Sequence, residues 1–219
     1  MVVQLRHHHP PASHLRRPSS AAASPRAASL TVNSVLGGRA QELIQSGAVI
    51  PISAKDATSA IESHGYKLLD VRPQWEWERA RVSGSLHVPL FVEDKDNSPL
   101  TLLKKWVHFG YIGLWSGQYF TMMNPDFVEQ VQEIVPDKDA KILVACGEGL
   151  RSTLAASKLH ERGYKKLGWL AGGFNRATNK DFRKVEGTEK LQYATIGGAS
   201  YIFLKLLTAL QSVGNNDIE

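Results

Sequence analysis

From Tyr66 to Leu170 short apolar runs alternate with segments of helical spacing, and that alternation constrains the fold more than any other feature of the chain. Tyr66 to Val71, Leu86 to Pro89, Lys141 to Ala145 and Leu167 to Leu170 read as strands. Ser53-Ala-Lys-Asp56 has the form of an N-cap with an acid three residues on, and Ala57, Ala60 and Ile61 follow on one helical face before Gly65. Pro73 to Arg79 turns helical. Asn124-Pro125 is a cap-and-N1 pair, after which Phe127, Val128, Val131, Ile134 and Val135 recur at helical spacing up to Pro136. Ser152 to Arg162 is a helix stopped by Gly163. Strands joined through helices lie parallel with right-handed crossovers, so the expected class is α/β, with a central, mostly parallel sheet flanked by helices.

The 219 residues, 42% hydrophobic and 21% charged, suffice for one globular domain with appendages. A single cysteine excludes an intrachain disulfide framework, a multi-cysteine zinc site and a two-cysteine relay. The formal charge of +5 is concentrated at one end: residues 1–30 hold Arg6, Arg16, Arg17 and Arg26 with no acid, which leaves +1 for the rest. The basic balance therefore gives no reason to expect a nucleic-acid partner. Half of those 30 residues are Ser, Ala or Pro, and no apolar run is long enough for a secretory signal. Residues 1–34 read as an organelle transit peptide, plastid favoured over mitochondrion, with an N-terminal extension over 35–52. His7-His8-His9 is too short a run to be taken as a metal site.

The chemistry centres on Cys146, where the apolar strand Lys-Ile-Leu-Val-Ala meets the loop Gly147-Glu148-Gly149-Leu150, followed by Arg151 and Ser152 at a helix start. Ligands bind at the carboxyl ends of strands in open α/β sheets. Two glycines let the backbone curl so that several N–H groups converge on one atom, and the helix adds its positive end. Such a cradle is expected to hold the sulfur as a thiolate. Arg151 can present a planar guanidinium to an anionic substrate. A lone cysteine at a strand end is more commonly a small buried hydrophobe; the attached loop turns the reading toward a nucleophile.

With those residues in view, the sequence resembles the rhodanese (sulfurtransferase) family in its single-domain form. The loop Cys146-Gly-Glu-Gly-Leu-Arg151-Ser152 is similar to the family pattern Cys-x-x-Gly-x-Arg-Ser/Thr. Asp70-Val-Arg72-Pro-Gln-Trp-Glu76-Trp77 with Val82-Ser-Gly84-Ser85-Leu-His87-Val88-Pro89 looks like its first signature, and Leu170-Ala-Gly172-Gly173-Phe174 like its Leu-x-Gly-Gly-aromatic block. The resemblance implies a rhodanese-like three-layer fold over 53–185 and a double displacement in which Cys146 takes a sulfane sulfur as a persulfide and yields it to a thiol or other nucleophile. It implies that Gly147, Glu148, Gly149, Leu150 and Ser152 form the substrate cradle, that Arg151 orients the donor, and that Asp70, Arg72 and Glu76 are structural support, Arg72 pairing with Glu76. The Cys-x4-Arg spacing resembles that of sulfurtransferases; cysteine-dependent phosphatases use Cys-x5-Arg. No cofactor or metal is implied, because persulfide chemistry needs only a thiolate. Two departures stand out. Gly147-Glu148 replaces the basic residue many relatives carry after the cysteine, so thiosulfate is expected to be a poor donor. Ala80-Arg81 replaces the usual Gly-His at what reads as a turn.

Two segments fall outside the resemblance. Residues 91–123 insert Trp106, Phe109, Tyr111, Trp115, Tyr119 and Phe120 together with Lys104 and Lys105, either as a lid over the sheet or as a patch facing a membrane-protein partner or a membrane. Residues 191–213 read as a hydrophobic helix, because Ile196 to Val213 carries only one charge, Lys205, over a length of about 27 Å. That helix is expected to anchor the protein in a membrane, the thylakoid being the leading candidate, against the alternative of a docked C-terminal helix. The leading function is a plastid sulfurtransferase; the alternative is a weakly catalytic or non-catalytic rhodanese-fold module that docks a partner at the membrane.

Overall fold

The computed structural model describes residues 38–216. The leader read as a transit peptide lies outside the described residues. A helix α1 (38–45) precedes β1 (Val49–Ile52), α2 (Ala54–Glu62), β2 (Lys67–Asp70), α3 (Gln74–Arg79), β3 (Ala80–Val82) and β4 (Leu86–His87). After the insert come α6 (Phe127–Ile134), β7 (Lys141–Ala145), α7 (Leu150–Glu161), β8 (Lys166–Leu170) and β9 (Val185–Gly187).

Five strands form one sheet in the order β1-β8-β7-β2-β4, every pair parallel. The central strand β7 explains why. Ile142, Leu143, Val144 and Ala145 are all fully buried, as they must be when helices cover both faces. Alternation then divides them. Ile142 and Val144, with Cys146 after them, join Phe127, Val131, Leu159 and Tyr164 on the face covered by α6 and α7. Leu143 and Ala145 join Ala57, Ala60 and Phe174 on the other. The buried residues of α2 are alanines, Ala54, Ala57 and Ala60, with Ile61 packed partly buried beside them.

Several boundaries differ from the sequence reading, each for a local reason. Ser53 has the extended backbone of an N-cap, but its hydroxyl donates to the Asp56 carboxylate at 2.6 Å and accepts nothing from the helix amides. The α6 helix starts at Phe127, past the expected cap: Asn124 Oδ1 accepts from the Asp126 amide at 3.1 Å while its Nδ2 donates to the Pro89 carbonyl and to Gln130. Ala80-Arg81 is no turn; it opens β3, which pairs antiparallel with β9. The extension over 35–52 contributes β1, the sheet edge beside β8, a four-residue strand with no periodicity to announce it.

The insert consists of β5 (Phe91–Glu93), α4 (Pro99–His108), a π-helical turn (Phe109–Gly113), α5 (Leu114–Ser116) and β6 (Thr121–Met123), with β5 and β6 antiparallel. Asp96 organises the start of α4, accepting from Thr101 Oγ1 at 2.6 Å and from the Ser98 amide and hydroxyl. Those hydrogen bonds, Thr101 first, hold its carboxyl down at about 2, against an ordinary 3.8. Because the folded-state value is depressed, the stabilisation is present above the ordinary range and is lost as pH falls through the folded value. Amide signals of Ser98 and Thr101 are expected to survive at pH 3.8 and to shift or broaden toward pH 2.

The tail forms a 3-10 turn (Leu191–Tyr193) and then α8 (Gly198–Asn216). No helix among the described residues is long and apolar enough to cross a membrane, which corrects the reading of 191–213 as a spanning anchor. The physical reason lies along one side of α8, where Tyr201, Lys205 and Thr208 interrupt the apolar surface. The Tyr201 hydroxyl and Lys205 Nζ both donate to Glu189, tying the helix to the body by its polar side. Trp115 of the insert packs against Phe203, ring centroids 5.7 Å apart, and Gln118 Nε2 donates to the Thr195 carbonyl at 3.2 Å.

Candidate active site

The chain leaves β7 at Ala145, and Cys146 is the first residue beyond the strand. Gly149, at φ +98°, turns its own N–H back toward the sulfur, a conformation other residues rarely adopt. Cys146 Sγ accepts from the Gly149 amide at 3.1 Å and from the Ser152 amide at 3.3 Å. The thiol lies 3.3 Å from Ser152 Oγ, whose hydroxyl donates to the Gly149 carbonyl at 2.8 Å. These amides, with the first turn of α7 behind them, stabilise negative charge on the sulfur.

A second glycine pair clamps this loop from outside. The Cys146 and Gly147 carbonyls accept from the Phe174 and Asn175 amides, each at 2.8 Å. Gly173, at φ +66°, makes the approach possible: a Cβ there would stand 2.3 Å from the Gly147 oxygen. Trp169 Nε1 donates to the Gly149 carbonyl at 3.0 Å, fixing the other end of the loop.

The charged residues are paired differently from the sequence expectation. Arg72 does not pair with Glu76. It folds back onto Asp70, Nη2 to Oδ2 at 2.6 Å with both side chains fully buried, donates again to the Ala80 carbonyl at 2.7 Å, and lies over the Phe174 ring. Two residues apart at the end of one strand, the pair closes locally before either partner can reach α3. Glu76 is thereby left for Arg151, which it grips through a two-bond fork of 2.8 and 2.7 Å. Glu76 is therefore part of the site and not a brace for Arg72. Burial alone would lower the affinity of Arg151 for its proton, but Glu76, and after it the Cys146 sulfur, hold it above its ordinary value. The guanidinium is gripped by the carboxylate and lines the same cleft as the sulfur.

Cys146, itself fully buried, forms the floor of a cleft of about 780 Å³. Of the proposed cradle residues, Gly147, Gly149 and Ser152 are buried around the sulfur, whereas Glu148 and Leu150 are exposed and line the cleft. Ile112 and Trp115 of the insert and Thr195 and Ile196 of the tail supply further wall. Sequence reasoning missed the clamp by Asn175, the Trp169 bond and these walls. The adjacent glycines 172 and 173 were the one available signal for the clamp; nothing local marked the walls.

Residues 53–180 match the family described as Rhodanese-like domain. The chain belongs to that family. It is 62% identical over 185 residues to Rhodanese-like domain-containing protein 10 of Arabidopsis thaliana, covering 84% of this chain and 86% of that one. Two further Arabidopsis thaliana relatives are Rhodanese-like domain-containing protein 9, chloroplastic (36% identical; 74% of this chain, 68% of that one) and Rhodanese-like domain-containing protein 11, chloroplastic (39% identical; 72% and 53%). The rhodanese-like match reaches Lys180, so β9, the 3-10 turn at Leu191–Tyr193 and α8 all lie beyond it.

Proposed function

We infer that this protein is a sulfurtransferase that carries sulfane sulfur on Cys146. The observation that carries the reading is the sulfur itself, the sole thiol of the chain, receiving two backbone N–H bonds at the end of the central strand in a cleft that Arg151 also lines. In the first half-reaction the Cys146 thiolate attacks the outer sulfur of a donor. A new S–S bond forms, the donor's bond to that sulfur breaks, and the electron pair leaves with sulfite or with a thiolate. In the second, a thiol or other nucleophile attacks the outer sulfur of the persulfide and the pair returns to Cys146. The Gly149 and Ser152 amides stabilise charge at the bound sulfur, and Arg151 orients an anionic donor.

The charges of the cleft bear on which donor. Glu76, Glu148 and the Cys146 thiolate share the cleft with a single Arg151, a net of two negative charges, and Glu76 already occupies the guanidinium. That balance repels a dianion, so thiosulfate is the weaker substrate and a persulfide of lower charge the better one. Glu76→Gln removes the competing carboxylate. It is expected to speed sulfur uptake from thiosulfate on the order of tenfold, read as the rate of adduct formation; an unchanged or slower rate would show that the fork does not restrain Arg151.

The chloroplastic names of two relatives, with the acid-free, Ser- and Ala-rich leader, support a plastid location. The test of the function is intact mass after exposure to a panel of sulfane donors, where one adduct of about 32 Da is expected on the native chain. No adduct from any donor would leave a rhodanese-fold docking module without transfer chemistry.

A further inference from the structure

The insert and the tail share an arrangement that transfer chemistry does not use: their helices are turned inside out. On α4 the side turned toward the rest of the insert is polar. Thr101, Lys105 and His108, three and four residues apart, bond Asp96 and the Gln118 carbonyl. The opposite side carries Leu102, Leu103, Trp106 and Val107, all exposed, Trp106 to 74%, and the π-helical turn continues it through Phe109 and Tyr111, exposed to 85%. On α8 the tethered side carries Tyr201, Lys205 and Thr208 with Leu204 among them, while Ile202, Phe203, Leu206, Leu207 and Leu210 face out. A soluble surface helix has the reverse pattern. The two faces are joined where Trp115 packs on Phe203.

Charge identifies what covers them. No Asp or Glu occurs between Asp96 and Asp126 or between Glu189 and Asp217, whereas Lys104, Lys105, His108, Lys190 and Lys205 do. Lys205 is neutralised by Glu189, Lys105 is tied to the Asp96 carbonyl, His108 bonds the Gln118 carbonyl and Lys190 lies over the Tyr193 ring, while Lys104 stands exposed among the apolar side chains of α4. Exposed tryptophan and tyrosine with lysine and no acid match a bilayer interface, whose headgroups are anionic and whose edge accepts aromatic rings. A second copy of the chain would bring another acid-free face against the first, with no carboxylate to meet its lysines.

We propose that α4, the π-helical turn and the outer side of α8 form one docking surface for an anionic lipid bilayer, on which the protein lies without crossing it. This goes beyond the transfer reaction and stands independently of it. Ile112, Trp115 and Ile196 also line the cleft, so the mouth of the Cys146 site opens beside that surface.

The test is flotation of the full-length chain with vesicles of phosphatidylcholine alone or mixed with phosphatidylglycerol. The native protein is expected to float with the anionic vesicles, and the double variants Leu103→Glu/Trp106→Glu and Leu206→Glu/Leu207→Glu to bind about tenfold or more weakly. None of those four residues lines the cleft, so sulfur loading of each variant in solution, measured separately by mass, is expected to match the native chain and reports intact folding. The arginines of the leader are common to all variants. Flotation undiminished in both variants would assign binding to that leader and overturn the proposal; so would equal binding to uncharged vesicles, no binding at all, or a dimer that the variants dissolve.

Discussion

Cys146→Ser is expected to abolish sulfur loading and to lower transfer on the order of a thousandfold or more. The reason is chemical and local. Serine keeps a hydrogen-bonding atom where the Gly149 and Ser152 amides point, so the loop retains its shape. A hydroxyl, however, is a far weaker acid than a thiol, stays protonated and forms no persulfide. The mass adduct seen on the native chain disappears, while the thermal midpoint moves little. A sulfur adduct that survives in the serine variant would remove Cys146 from the reaction altogether, since the chain has no other thiol.

Asp70→Ala is expected to have the largest effect on stability. Asp70 and Arg72 have no measurable exposure, and the carboxylate receives the Arg72 backbone amide as well as its guanidinium. Removing it strands a positive charge in the core. Breaking one side of a buried pair costs about 3–5 kcal/mol, a large share of the roughly 5–15 kcal/mol that holds a domain together. At this size the thermal midpoint should fall by about 10 °C. The damage is expected to reach the site, because Arg72 lies over Phe174, whose amide holds the Cys146 carbonyl. Asp70→Ala combined with Arg72→Met should recover part of the loss, since no charge is then left unpaired; a double variant no more stable than the single one would show that the ion pair itself is not the cause.

The same two pairs separate what is readable in a sequence from what is not. The sheet, apart from its edge strand β1, was legible because Ile142 to Ala145 is an uninterrupted apolar run and because helices with caps and glycine stops intervene between such runs. The cradle was legible because Gly147 and Gly149 around one cysteine can serve little but a tight turn of amides. Which acid met which base was not. Arg72 has Asp70 two residues before it and Glu76 four residues after it, and only the direction of the chain at the end of β2 sends it to the first. Glu76 and Arg151 are 75 positions apart and meet because α3 and α7 begin beside neighbouring strands, β2 and β7.

The tail shows the division most plainly. Its composition suited a membrane, and the apolar side chains are indeed exposed, but Tyr201 and Lys205 bond Glu189, whose own amide is held by the Arg79 carbonyl, and this ties the helix to the body. Local spacing determined the central strands and the helices between them, the α/β class and the loop around the sulfur, because backbone hydrogen bonding and side-chain periodicity act between near neighbours. The partners of the buried charges, the walls of the cleft and the way each added helix faces were decided only in three dimensions, where desolvation makes every buried charge take whichever opposite charge the packing brings within reach.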